Sequence, residues 1–144
     1  MDLFFEANAA LSVFSKRYMD LKKGLPIRPS EMGVLNIITQ TPGPHTSVML
    51  AELLGVSKPM ITAHITSLLE KGYVVKEQSV EDKRVYYILP TDKALELVES
   101  ARQDMDRHLT RLTEVLGQDD FDALIRLTKK AGEALREQQD CSRE

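Results

Sequence analysis

SVMLAELLGVSKPMITAHITS, residues 47–67, decides how the rest of the chain is read. Ser57 stands before Lys58 and Pro59. Proline in a first helical turn lacks only an N–H that would have no helical partner there, so Ser57 is placed as an N-cap. From it Ile61, Ile65, Leu68 and Leu69 fall on one helical face, at spacings of three and four. A shorter apolar segment, VMLAELL, lies upstream, with Thr46 or Ser47 as its cap. Gly55 turns the chain between the two, where a residue without Cβ meets no steric penalty. Ala51 is small where the helices would cross, and Ile61 is the buried contact of the second one. Two helices with this turn and this small crossing residue have helix-turn-helix spacing.

Opposite the apolar face of the second helix stand Pro59, Thr62, Ala63, Thr66 and Ser67, with His64 at the rim. These side chains are small and rich in hydroxyls. When a helix lies in a major groove, such groups reach phosphates and base edges. Ser57, Lys58 and the free N–H groups of the first turn are placed for phosphate. A merely solvated face could have the same composition, and alone that is the simpler reading. Ala51, Gly55, Ile61 and the elements that follow reverse the balance. His64 reads equally as a DNA contact or as a partly packed residue.

Gly72 ends the second helix. YVVKEQ and VYYILP follow as two strands, with Pro90 closing the second. Between them the tip carries Glu81, Asp82, Lys83 and Arg84. A solvated turn needs charge but no particular order, whereas a tip that reaches a polyanion needs a cation and something to aim it. A two-stranded hairpin is marginal alone, so this one must pack on helices. Upstream, residues 3–22 read as an amphipathic helix, broken by GLPIRP at 24–29. Ser30 is placed to cap a second helix, EMGVLNIITQ, and TPGPH then makes a rigid loop. Downstream, Thr91 caps a long helix on which Leu95, Val98, Met105, Leu109, Leu112 and Leu116 make a stripe close to a heptad seam. Gly117 stops it, and Asp119 or Asp120 starts a last helix.

The expected fold is therefore mostly α with a small antiparallel β-hairpin. It is a winged helix-turn-helix flanked by long N- and C-terminal dimerisation helices. One domain, 1–144, would hold a helical dimerisation region at 1–29 and 92–144 around a DNA-binding lobe at 30–91. The long-helix stripe is too extensive for one small lobe to bury, which points to a homodimer.

Composition bounds the function. The net charge is −3, which looks wrong for a nucleic-acid binder, but residues 91–144 hold nine bases and thirteen acids while residues 45–90 hold five of each. Binding depends on the local face rather than the total. No run approaches the ~20 apolar residues of a membrane span, and no membrane partner is expected. Asp2, Glu6, Asn8 and Ser12 interrupt the N-terminal apolar residues, unlike a signal peptide, so a cytoplasmic location is expected. Cys141, the single cysteine, cannot form an intrachain disulfide and reads as an incidental thiol. His45, His64, His108 and Cys141 lack metal-ligand spacing, so neither a metal nor another cofactor is expected. A phosphate contact from His45 is a weaker possibility. No nucleophile elbow, phosphate-binding glycine loop or carboxylate pair occurs, which argues against an enzyme.

LAELLGVS, LLEKGYV, the EDKR tip and the Thr-Asp-Lys start of the next helix together resemble the DNA-binding lobe of the multiple-antibiotic-resistance regulator (MarR) family. The resemblance implies an obligate homodimer whose two lobes read a pseudo-palindromic operator in double-stranded DNA, usually as a repressor. It implies that Arg84 enters the minor groove, that Asp82 pairs with Arg84 and shapes the tip, and that Lys83 adds a phosphate contact. A narrow minor groove concentrates negative potential and attracts arginine, and a carboxylate fork pre-orients the guanidinium. Many relatives carry a basic residue where this chain has Ala63, so direct readout is expected to lean on Thr62, Thr66, His64 and DNA shape. The resemblance also implies a small, often aromatic effector, which Phe14, Arg17, Tyr18 and Met32 could line. Ordinary core packing is the simpler reading of Phe14 and Tyr18. The competing function is a winged-helix protein-interaction module with no DNA role.

Overall fold

Folding of this chain is organised around one helix face. In the computed structural model, which describes residues 2–142, helix α4 (Lys58–Glu70) buries Ile61, Ile65 and Leu68. They meet Met32, Val34, Leu35 and Ile38 of α2 (Pro29–Gln40), Leu50 of α3 (Ser47–Leu54), Ile88 of β3 (Tyr86–Pro90), and Ala94 and Val98 of α5 (Asp92–Leu116). Fully burying one such leucine or isoleucine is worth roughly 1.5–3 kcal/mol, so this cluster dominates the stability of the lobe. The remaining elements are α1 (Leu3–Asp20), β1 (His45–Thr46), β2 (Val74–Gln78) and α6 (Gln118–Cys141).

The helix-turn-helix closes as its residues dictate. Thr46 caps α3 by accepting the Met49 N–H at 3.3 Å, and Ser57 caps α4 by accepting the Met60 N–H at 3.3 Å. Gly55 takes the left-handed conformation at φ 65°, and the Val56 N–H returns to the Ala51 carbonyl at 3.0 Å. The two helices bend by 113° across this turn, within the range of about 90–120° of DNA-reading helix pairs.

Two expected caps lie elsewhere. Pro29 is the first residue of α2 and Arg28 its N-cap, without a side-chain bond. Proline presets the helical φ and removes one donor that would need capping, so Ser30 falls inside the helix. Gly117, at φ 82°, is the N-cap of α6. Asp119 and Asp120 therefore lie in its first turn, where their charge complements the helix dipole.

The expected hairpin is part of a three-stranded antiparallel sheet in the order β1-β3-β2. Val74 pairs with Pro90 and Gln78 with Tyr86 along the hairpin, while His45 pairs with Ile88 and Thr46 with Tyr87 on the other edge. The loop expected at TPGPH thus ends in a two-residue strand. His45 is buried, with Nε2 2.8 Å from the Thr41 hydroxyl, so it faces the core rather than a phosphate.

The junction from the wing to α5 latches onto the end of α4. The Thr91 hydroxyl donates to the Gly72 carbonyl at 2.8 Å, its N–H donates to the Tyr73 carbonyl at 3.0 Å, and Lys93 Nζ donates to the Lys71 carbonyl at 2.7 Å. Lys93 also lies 4.5 Å from the Tyr73 ring centroid. These donors satisfy the carbonyls of Lys71, Gly72 and Tyr73 in the turn that follows α4. That gives the Thr-Asp-Lys sequence a mechanical purpose.

The chain divides into two compact units, Met1–Arg102 and Gln103–Glu144. Within the first, α1 buries none of its described residues, and Leu3, Phe4, Phe5 and Leu11 are exposed. Within the second, α6 buries none of its described residues, and Val115, Ile125, Leu127 and Leu135 are exposed. The expected stripe on α5 is split. Val98 is buried with Ala94 in the core of the lobe, whereas Leu95 is exposed. Met105, Leu109, Leu112 and Leu116 are half-buried. The helix turns Ala94, Leu97, Val98 and Ala101 toward the lobe, which leaves Leu95 off that face. Among the described residues, no single helix is long and apolar enough to cross a membrane.

Candidate nucleic-acid interface

Helix α4 presents Lys58, Pro59, Thr62, Ala63 and Thr66 to solvent, opposite its buried face. The Thr62 hydroxyl donates to the Lys58 carbonyl at 2.9 Å, so outward it offers a methyl group and a lone pair rather than a proton. The first turn is poorer in free donors than expected. Pro59 has no N–H, and the Met60 N–H is taken by Ser57. The Lys58 N–H and its cationic side chain remain for a phosphate at that end.

Ser67, expected on the reading face, and His64, placed at its rim, are both half-buried. His64 is half-buried, and its Nε2 is shielded from solvent without a hydrogen-bond partner among the described residues. The packed reading of His64 therefore accounts for that nitrogen. Ser67 is half-buried, and its hydroxyl donates to Glu31 Oε2 at 2.9 Å, so it serves α2 rather than a groove. Glu31 is only 1% exposed. Lys71 Nζ lies 3.5 Å from Oε2, and Arg28 Nε lies 4.0 Å from Oε1. A buried carboxylate needs such partners, because an unpaired charge away from water costs several kcal/mol. Glu31 thereby ties the start of α2 to the far end of α4. Sequence reasoning missed it, though the signal was present. Glu31 occupies an apolar stripe with Val34, Leu35 and Ile38, where only a satisfied acid is tolerated.

The wing tip is ordered by one side chain. Asp82 Oδ1 accepts the Arg84 N–H at 3.0 Å and Arg84 Nε at 3.1 Å, while Oδ2 accepts Arg84 Nη2 at 3.1 Å. The same residue shapes the turn, since the Val85 N–H donates to the Asp82 carbonyl at 2.9 Å. Arg84 is nevertheless 89% exposed on its side chain, against 42% for Asp82. The side-chain bonds from Arg84, and then its backbone N–H, hold the Asp82 carboxyl below its ordinary value. Asp82 in turn raises the pKa of Arg84. The pairing expected of these two residues is present, and the guanidinium projects into solvent in a fixed orientation. Lys83 is exposed beside it.

Gln78 and Ser79 belong to the same scaffold. Gln78 Nε2 donates to the Lys83 carbonyl at 2.7 Å, and the Asp82 N–H lies 3.4 Å from Ser79 Oγ. The Ser79 N–H donates to the Val85 carbonyl at 2.8 Å. Sequence reasoning overlooked both, although serine three residues before a turn N–H is an ordinary local acceptor.

The four residues expected near a small effector separate. Phe14 and Tyr18 stack on α1 with ring centroids 6.1 Å apart and planes inclined by 19°, and Lys22 Nζ lies 5.1 Å from the Tyr18 centroid. Phe14 and Arg17 are exposed and Tyr18 is half-buried, so this pair is not core within the chain. Met32 is buried in the core of the lobe and presents no surface to a ligand. Its place on the apolar face of α2 explains why.

Comparison with known proteins agrees with this geometry. Residues 27–86 match the profile of the MarR family. The chain is 33% identical over 104 residues to the uncharacterized HTH-type transcriptional regulator YkoM of Bacillus subtilis (strain 168), an alignment spanning 72% of this chain and 67% of that protein. It is similar to the transcriptional repressor CouR bound to a 23-mer DNA duplex, with 25% identity, 91% and 92% of the two chains covered and a TM-score of 0.73. Streptococcus pneumoniae FabT in complex with DNA has the same fold at 16% identity, with 93% and 98% covered and a TM-score of 0.82. Profile, relative and architecture agree: the chain belongs to the MarR family of winged-helix transcription regulators.

Proposed function

We propose that this regulator binds a pseudo-palindromic operator in double-stranded DNA as a homodimer, and acts as a repressor released by a small effector. In this reading α4 enters the major groove through Thr62, Ala63 and Thr66, Lys58 holds a phosphate, and Arg84 of the wing enters the minor groove beside Lys83. The observation that carries it is the Asp82–Arg84 clamp. A guanidinium held in a bidentate fork yet exposed has little structural work to do, and a pre-oriented cation loses less rotamer entropy on entering a groove. That CouR, to which the chain is similar, is seen bound to a DNA duplex supports DNA as the partner. The exposed apolar residues of α1 and α6 support a second copy as the covering partner. Phe14, Arg17 and Tyr18 are the residues to examine for an aromatic acid.

The test is duplex binding over a range of salt concentrations. Each phosphate or groove cation engaged releases counterions, so affinity should fall steeply as salt rises. Arg84→Ala should weaken binding and reduce the salt slope by about one unit. Salt-independent retention with no effect of Arg84→Ala would favour a protein-interaction module instead.

A further inference from the structure

The outward face of α4 carries an unusual omission. Arginine, lysine, asparagine and glutamine read guanine or adenine through paired hydrogen bonds, and from Lys58 to Glu70 the helix holds none of them beyond Lys58 itself. Between Lys58 and Glu70 at its ends it exposes Pro59, Met60, Thr62, Ala63 and Thr66. Thr62 has committed its hydroxyl proton to the Lys58 carbonyl, and Ser67 has committed its own to Glu31. Lys58, the lysine of this helix, sits at its first residue and is assigned to a phosphate in the reading above. Glu70, exposed at the other end, repels phosphate and keeps the reading surface to the turns before it, up to Thr66. The surface that remains is the methyl groups of Thr62, Ala63 and Thr66, together with the Thr66 hydroxyl.

One base edge in the major groove suits such a surface. Thymine alone carries a methyl group there, and alanine and the threonine methyl are its apolar partners. The wing adds a consistent preference, because A·T-rich tracts narrow the minor groove and concentrate the potential that draws arginine. We propose that this protein selects A·T-rich half-sites by contact between thymine methyl groups and the methyl face formed by Thr62, Ala63 and Thr66. The proposal rests on the DNA-binding reading above and specifies which sequences that reading face accepts.

The experiment selects binding sites from a random-sequence duplex library with the full-length protein, then replaces the thymines of the selected duplex one at a time by deoxyuridine. That exchange removes the methyl group and leaves every hydrogen-bonding group in place. The expected result is A·T pairs at the recognised major-groove positions, and a loss of about fourfold in affinity per contacted thymine, the worth of one buried methyl. In Ala63→Ser the penalty at the thymine facing residue 63 should shrink, whereas penalties at other positions should persist. The wild-type series stands without that variant, so poor folding of the variant leaves the test decisive. Selected half-sites with guanine at those positions, or equal affinity for dT and dU duplexes, would overturn the methyl reading while leaving DNA binding intact. Enrichment of no sequence at all would overturn both.

Discussion

Asp82 does two things at once, and they are separable. Its Oδ1 accepts the Arg84 N–H, which shapes the turn, and both its oxygens hold the guanidinium, which aims it. The charge on Asp82 is favoured by these bonds, so its carboxyl should titrate below its ordinary value. The sign of the pH dependence follows. A depressed acid pKa means that the clamp is fully present above the ordinary carboxylate range and is lost only as pH falls through the depressed value. Binding should therefore show no Asp82-linked pH dependence across the neutral range. A carboxyl-resolved NMR titration should place the Asp82 midpoint below that of an unpaired aspartate and move it upward in Arg84→Ala. An unchanged midpoint in that variant would mean that the fork is not formed in solution.

At the scale of elements, Ser67 and Thr66 are neighbours on α4 with opposite duties. Ser67 binds a buried carboxylate, so Ser67→Ala leaves Glu31 short of a donor and should cost about 1–3 kcal/mol of stability. Thr66 faces solvent, so Thr66→Ala should change stability by no more than about 0.5 kcal/mol while weakening duplex binding. Urea melts of the two variants check the first half, and equal midpoints would contradict it. This pair also shows where the sequence was legible. The apolar period of α4, the Ser57 cap and the Gly55 turn are local signals, and each stands where expected. Ser67 lies only about 40° of helical rotation from the reading face, and its inward turn depends on an acid 36 residues away. Long-range polar pairing of that kind leaves no periodicity to read. The strand at His45–Thr46 was hidden for a related reason. Two residues cannot show alternation, and Pro-Gly-Pro before them gives a loop signal that the pairing with Ile88 overrides. The wing clamp was legible because both partners lie within one turn, although their pairing was expected from resemblance rather than from spacing.

At the scale of the whole molecule, the exposed terminal helices bear on the proposed assembly, and the summed charge sets the background against which DNA binding is judged. Leu3, Phe4, Phe5 and Leu11 on α1, and Leu127 and Leu135 on α6, are exposed, and large contiguous apolar patches mark interaction sites. A second copy covering them would form the large, apolar interface of an obligate dimer. Sedimentation at micromolar concentration should then give about twice the 16.3 kDa chain mass, and a stable monomer would remove the basis for a palindromic operator. The net charge of −3 makes the background unfavourable to DNA, so removing any acid near the duplex should, by Coulomb's law alone, tighten binding. Asp82 is the exception that the aimed wing demands. The deciding measurement is duplex affinity at one fixed salt concentration for wild type, Asp82→Asn, Arg84→Ala and the double variant. Asparagine keeps an acceptor for the Arg84 N–H and so preserves the turn, while the ionic fork is lost. An aimed Arg84 predicts that Asp82→Asn binds more weakly than wild type despite carrying one negative charge fewer, and that the double variant matches Arg84→Ala alone. Tighter binding by Asp82→Asn, or fully additive losses in the double variant, would contradict it.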